Sequence, residues 1–254
     1  MHNELFSIGP VTIYGYGLMI AIGILLAYFF AVYRAKKRNL SDDPIFSILI
    51  CAVFFGFLGA KLLYIITVLD EIIKDPKLLW DVADGFVVYG GIISGILAIL
   101  IYCRIKKIDF FTYLDLILPS VALAQGFGRI GCFLAGCCYG VETKSAFSIT
   151  FHNSAYAPNN VPLFPSQLVS SGLNFVHCIV LCLIARKTKK RGIVTSCYLI
   201  FYSIGRFIIE FFRGDLLRGS IGRLSTSQFI SIFVLAAGIL MLFFCNKKTS
   251  SGKE

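Results

Sequence analysis

A chain of 254 residues that is 57% hydrophobic and only 15% charged, with a mean hydropathy of +0.80, is not a soluble globular domain, which usually carries ~25% charged residues. The net charge of +10 would suit a nucleic-acid binder, but the basic residues sit mostly in short loops between apolar runs. Membrane insertion and anionic lipid surfaces account for them, and no nucleic-acid module is recognisable.

Seven spans of roughly the ~20 residues that a bilayer requires are predicted. The first, 14–33, opens near Tyr16-Gly17 and is followed by Arg34, Lys36, Lys37 and Arg38. Met1-His2-Asn3-Glu4 gives no basic region ahead of it, so no cleavable signal peptide is expected. The second, 45–68, holds Lys61 near Gly56 and Gly59, where the ammonium either snorkels or bridges to a carboxylate such as Asp84. The third, 86–102, begins with Tyr89-Gly90-Gly91, and its Gly91-Ile92-Ile93-Ser94-Gly95 has the small-residue spacing of close helix packing. Arg104, Lys106 and Lys107 follow it.

The fourth span, 114–135, runs into Gly128-Arg129-Ile130-Gly131-Cys132-Phe133-Leu134-Ala135-Gly136-Cys137-Cys138-Tyr139-Gly140. Residues 141–166, with Pro158, Pro162 and Pro165, read as an irregular extracytoplasmic cap. The fifth span, 167–185, is opened by Pro165-Ser166-Gln167 and followed by Arg186, Lys187, Lys189, Lys190 and Arg191. The sixth, 193–212, places Tyr202, Arg206, Glu210 and Arg213 at i, i+4, i+8 and i+11, one polar stripe on a helix of Phe and Ile. Ser225-Thr226-Ser227-Gln228 opens the seventh, 228–244, and a basic tail occupies 246–254. Both openings read as helix N-caps.

The loops after spans one, three and five, together with the tail, carry most of the Lys and Arg. By the positive-inside rule the N-terminus is outside and the C-terminus cytoplasmic. The expected architecture is therefore an all-α polytopic membrane protein of about seven transmembrane helices. Residues 1–254 form a single membrane domain with a central lipid-binding cavity towards its outer side.

An arginine in hydrocarbon costs roughly 2.5–3.5 kcal/mol on insertion scales, so intramembrane arginines mark functional sites by default. The planar guanidinium binds phosphate in a bidentate manner, and Arg129 with Arg206 points to an anionic lipid headgroup. A structural Arg206–Glu210 pair is the plainer alternative. Tyr89 suits either an interfacial aromatic belt or a substrate-orienting role. Cationic surroundings lower a thiol pKa, which makes Cys132, Cys137 and Cys138 candidates for reactivity or for a vicinal disulfide. The other cysteines are scattered through apolar runs, and the spacing contains no zinc pattern.

These pieces, in this order, resemble the phosphatidylglycerol–prolipoprotein diacylglyceryl transferase family of bacterial lipoprotein maturation. The resemblance covers nearly the whole chain: Phe6-Ser7-Ile8-Gly9-Pro10, Tyr16-Gly17-Leu18-Met19, Asp84-Gly85, Tyr89-Gly90-Gly91, Gly128-Arg129-Ile130-Gly131, Pro165-Ser166-Gln167-Leu168, and Gly205-Arg206 through Glu210-Phe211-Phe212-Arg213. It implies a multi-pass protein of the bacterial plasma (inner) membrane. It implies transfer of diacylglycerol from phosphatidylglycerol to the lipobox cysteine of a prolipoprotein signal peptide, with release of glycerol phosphate, and no cofactor or metal. It makes Arg129 phospholipid-binding and Arg206 and Tyr16 catalytic, with Glu210 supporting Arg206 on the phospholipid side; from their positions in the same motifs Gly90 and Gly91 are further phospholipid-binding candidates, and Tyr89 and Cys137 further catalytic candidates. The chain departs from the family pattern in having Tyr89 for the usual histidine, Cys132 and Ala135 for asparagines, and Cys137 for a glutamate. Two further classes are a membrane thiol-redox protein using Cys137 and Cys138, and a non-catalytic lipid-binding or transport protein.

Overall fold

Seven helices long and apolar enough to cross a membrane are present among the described residues. The computed structural model describes residues 4–8, 11–74, 85–215, 219–222 and 224–250. Asp84, Gly9-Pro10, Lys77, Arg218, Arg223 and the end of the tail from 251 lie outside them. In chain order the elements are β1 (Glu4–Ile8), β2 (Val11–Tyr14), α1 (Gly15–Lys37), α2 (Asp43–Thr67), α3 (Leu69–Lys74), α4 (Val88–Ile105), α5 (Phe110–Ala135), β3 (Ile149–Thr150), β4 (Pro162–Leu163), α6 (Ser166–Lys187), α7 (Ile193–Glu210), β5 (Ser220–Ile221), β6 (Leu224–Ser225) and α8 (Thr226–Ser250). The seven predicted spans correspond to α1, α2, α4, α5, α6, α7 and α8. The strands form three antiparallel pairs, β1–β2, β3–β4 and β5–β6.

Large apolar side chains cover the outsides of these helices: Phe29, Phe57, Val176 and Phe243 are each more than half exposed. Water would penalise so much exposed apolar surface, whereas hydrocarbon does not. Seven such helices make this a multi-pass membrane protein.

The chain divides into two compact units, residues 1–31 with 114–254, and residues 32–113. In the first, α7 packs against both α6 and α8. Leu118, Ala122, Cys178, Leu181, Ala185, Val194 and Tyr198 form the core of this unit. Asp115 of α5 is buried and accepts hydrogen bonds from the Gly192 and Thr195 amides, each at 2.7 Å, and from the Thr195 hydroxyl at 2.6 Å. A carboxylate from another helix thus satisfies the orphan donors at the start of α7. The stretch after α5 is more ordered than an irregular cap. Phe151, Ala157 and Leu163 bury against Phe133, Tyr139, Ile149 and Val161, beside the β3–β4 pair.

In the second unit α2 and α4 meet through small residues. A Cβ on Gly59 would collide with Ser94 Oγ, one on Gly90 with the Gly59 carbonyl, and one on Gly91 would sit 2.8 Å from the Gly56 carbonyl. Ser94 Oγ donates to the Phe55 carbonyl at 2.7 Å across the contact. Gly85, with φ +78°, turns the chain under the Tyr64 ring. Lys61 lies over the rings of Tyr64 and Phe86, with Nζ 5.1 and 5.3 Å from their centroids. These cation–π contacts engage the ammonium, while Asp84, the carboxylate of the bridging alternative, lies outside the described residues.

Candidate active site

In the first unit, α5, α6 and α7 enclose a cavity of about 260 Å³. Arg129 enters it from α5, Ser170, Asn174 and His177 from α6, and Tyr202 and Arg206 from α7. Its remaining lining includes Leu173, Val176 and Phe201, and these three are themselves exposed on the outer faces of spanning helices. The cavity therefore opens among exposed apolar side chains. Its volume suits a headgroup, lying below the ~300–1,000 Å³ of pockets for drug-sized ligands.

The two arginines are held differently. Arg206 is fixed from two sides. Nη1 pairs with Glu210 Oε2 at 2.7 Å, off the hydrogen-bond direction, and Nη2 donates to Ser227 Oγ at 2.7 Å. The spacing Arg206-x-x-x-Glu210 places both groups on one helix face, and their side chains are only 12% and 8% exposed. Arg129 forms no hydrogen bond or ion pair among the described residues. Two guanidinium groups and one carboxylate leave a net charge of +1, the complement of one phosphodiester. Tyr16 packs on Gly131, where an added Cβ would be 3.2 Å from its ring and from its carbonyl oxygen.

Arg213 does not continue the α7 stripe, because the helix ends at Glu210. Its Nε and Nη2 instead donate to Asp215 at 2.9 and 2.7 Å. Burial opposes its charge, but the Asp215 carboxylate and the Cys138 sulfur outweigh burial and hold its pKa above that of an ordinary guanidinium. Ser166 does not cap α6. Its hydroxyl donates to the Cys138 carbonyl at 2.9 Å, and Gln167 Nε2 donates to the Cys137 carbonyl at 2.9 Å. At α8 the capping expectation holds. The Gln228 amide donates to Ser225 Oγ and the Ser225 amide to Gln228 Oε1, each at 3.1 Å, a reciprocal capping box.

The Sγ atoms of Cys132, Cys137 and Cys138 lie within 4.8 Å of one another. The expectation of an activated thiol is corrected at Cys137. Hydrogen bonding with Cys132 and Cys138, followed by burial, pushes its pKa well above the ordinary thiol value.

Residues 3–244 match the family described as prolipoprotein diacylglyceryl transferase. The chain belongs to that family. A relative from Clostridium tetani, named phosphatidylglycerol–prolipoprotein diacylglyceryl transferase, is 50% identical over 241 residues, 95% of this chain and 96% of its own. A Clostridium perfringens relative, named phosphatidylglycerol–prolipoprotein diacylglyceryl transferase 2, is 48% identical over 242 residues, covering 95% and 94%. One from Finegoldia magna, with the same name as the first, is 34% identical over 256 residues and covers both chains completely.

In this family member the sequence-derived site residues fall into both units. Tyr16, Arg129, Cys137, Arg206 and Glu210 belong to the first; Tyr89, Gly90 and Gly91 belong to the second. Gly90 and Gly91 are spent on the α2–α4 contact, so the packing reading of this motif accounts for them. Sequence reasoning missed His177, which stacks on Tyr198 at 5.1 Å, meets the Phe201 edge at 5.9 Å, and buries an unpartnered Nε2. A signal existed: Ser170, Asn174 and His177 stand at i, i+4 and i+7 of an apolar span.

Proposed function

We propose that this protein transfers the diacylglyceryl group of phosphatidylglycerol to the lipobox cysteine of prolipoproteins, releasing glycerol phosphate, in the plasma (inner) membrane of a bacterium. The observation that carries the reading is the cavity lined by both arginines. It opens among apolar residues that lipid tails would cover and has the +1 charge that a phosphodiester needs. The thiolate attacks the terminal glyceryl carbon, the C–S bond forms, and the C–O bond to phosphate breaks with its electron pair passing to glycerol phosphate.

Charge grows on the phosphate oxygens as that bond breaks, and preoriented guanidinium groups stabilise it. Arg206, locked by Glu210 and Ser227, supplies fixed geometry, while Arg129 supplies a fork that no hydrogen bond or ion pair engages among the described residues. Tyr16, beside Gly131, orders the substrate at the Arg129 end. Tyr89 and Cys137 are the candidates for handling the acceptor thiol, and Gly90 and Gly91 hold α4 against α2. The whole chain works as one domain, with the N-terminus outside, so that the 141–166 cap meets prolipoproteins on the outer face. Family membership favours this reading over a thiol-redox or a purely lipid-binding protein.

The test is reconstitution of the purified protein with phosphatidylglycerol and a lipobox peptide, with mass spectrometry for the diacylglyceryl thioether. Product should form, and should vanish with Arg129→Gln in a protein that stays folded. Undiminished product from that variant would refute the assignment of Arg129.

A further inference from the structure

Three thiols converge just beyond Arg129. Cys132 lies one helical turn after it on α5, and the chain then doubles back. Gly136, at φ +74°, and Cys138, at φ +58°, make the reversal. A left-handed conformation costs a residue with a Cβ roughly 1–2 kcal/mol, so the fold accepts strain to set Cys138 here. The loop is pinned on several sides. The Cys137 amide donates to the Cys132 carbonyl at 3.1 Å, Gln167 and Ser166 hold the next two carbonyls, and the Gly214 amide donates to the Tyr139 carbonyl at 3.0 Å. The Arg213 guanidinium reaches the Cys138 sulfur.

Three Sγ atoms within 4.8 Å of one another, all half-buried, match the needs of one small cation. A zinc–sulfur bond of ~2.3 Å puts tetrahedral sulfurs about 3.8 Å apart, within about an ångström of the upper separation in the cluster. Thiolates select thiophilic d10 ions over hard cations. Three thiolates and one divalent ion carry a net charge of −1, next to Arg129 and Arg213. Three protein ligands also leave the fourth tetrahedral position open, the arrangement of catalytic rather than structural zinc.

We propose that Cys132, Cys137 and Cys138 form a three-thiolate site for one Zn(II) ion, whose open position binds the acceptor thiol. The second half rests on the transferase reading above. A free thiol is only a few per cent thiolate at neutral pH, whereas a metal-bound one is deprotonated. The acceptor S–H proton leaves to water when sulfur binds the metal. The bound thiolate then attacks the glyceryl carbon, the C–O bond breaks, and glycerol phosphate departs with the electron pair. The thioether product is a poor ligand and dissociates, which restores the open position.

The experiment uses the full chain in lipid nanodiscs, stripped with chelator and reloaded with Zn(II) or with Co(II) as a spectroscopic substitute. One equivalent of zinc per chain should survive desalting. It should fall at least tenfold in Cys132→Ser, Cys137→Ser and Cys138→Ser, and bound zinc should protect those three cysteines of the wild type from alkylation, read by peptide mass spectrometry. The protection readout holds even if a variant misfolds. The Co(II) protein should show intense tetrahedral thiolate bands that shift with a lipobox peptide and not with its Cys→Ser form. No zinc retained by the wild type, no protection, or a Co(II) spectrum indifferent to the peptide thiol would overturn the proposal. So would thioether formation at full rate by stripped protein, which would leave the transferase reading intact. A peptide-sensitive metal site without any thioether product would instead sink the transferase reading and spare the metal site.

Discussion

At the scale of single residues, the arginines differ in what else they hold up. Arg129 makes no hydrogen bond or ion pair among the described residues, so Arg129→Gln should remove transfer while leaving the thermal unfolding midpoint nearly unchanged. Arg206→Gln strands Glu210 in a nearly buried position, and breaking such a pair costs roughly 3–5 kcal/mol. That variant should lose both transfer and thermal stability, measurable by scanning fluorimetry on the two proteins side by side. Cys137 supplies a pH prediction. Its raised pKa keeps the metal-free thiol protonated at neutral pH and above, and its thiolate appears only at a higher pH than that of an ordinary cysteine. Metal-free Cys137 should therefore react with iodoacetamide more slowly than an unhindered peptide cysteine throughout pH 7–9, followed by peptide mass spectrometry. The Arg206–Glu210 pair was legible in the sequence because helical spacing dictates it. The three-thiol cluster was not, since it depends on a left-handed Cys138 and on Ser166 and Gln167 binding loop carbonyls instead of capping α6.

At the scale of elements, all seven helices were legible, because hydrocarbon leaves the backbone no alternative to internal hydrogen bonding and length alone identifies a span. The stripe on α7 was overextended by one turn: the helix stops at Glu210, and Arg213 turns to Asp215. The short strands of the cap escaped notice because two-residue pairings carry no periodicity. Helix contacts give two stability predictions. Gly90→Leu should disrupt the α2–α4 contact and lower the unfolding midpoint markedly, since its Cβ alone strikes the Gly59 carbonyl. Asp115→Ala removes three hydrogen bonds at the start of α7, and with bonds to charged groups contributing ~1.5–3 kcal/mol each, a loss of at least ~4 kcal/mol is expected. Denaturant titration in mild detergent would measure both.

At the scale of the whole molecule, the uneven distribution of Lys and Arg predicts that the 141–166 cap lies outside and the loop after α6 in the cytoplasm. In cells, an impermeant maleimide should label Phe147→Cys, at a position that is 82% exposed, and should miss Lys190→Cys. The reverse pattern would invert the topology. Above all, the protein should be a receptor for one anionic headgroup, and the most direct measurement is native mass spectrometry after exchange into mixed phosphatidylglycerol and phosphatidylethanolamine. The wild type should retain one phosphatidylglycerol in clear preference, and Arg129→Gln should lose that preference. Equal retention of the two lipids by the wild type, or an unchanged preference in the variant, would contradict a phosphate site built on Arg129 and Arg206.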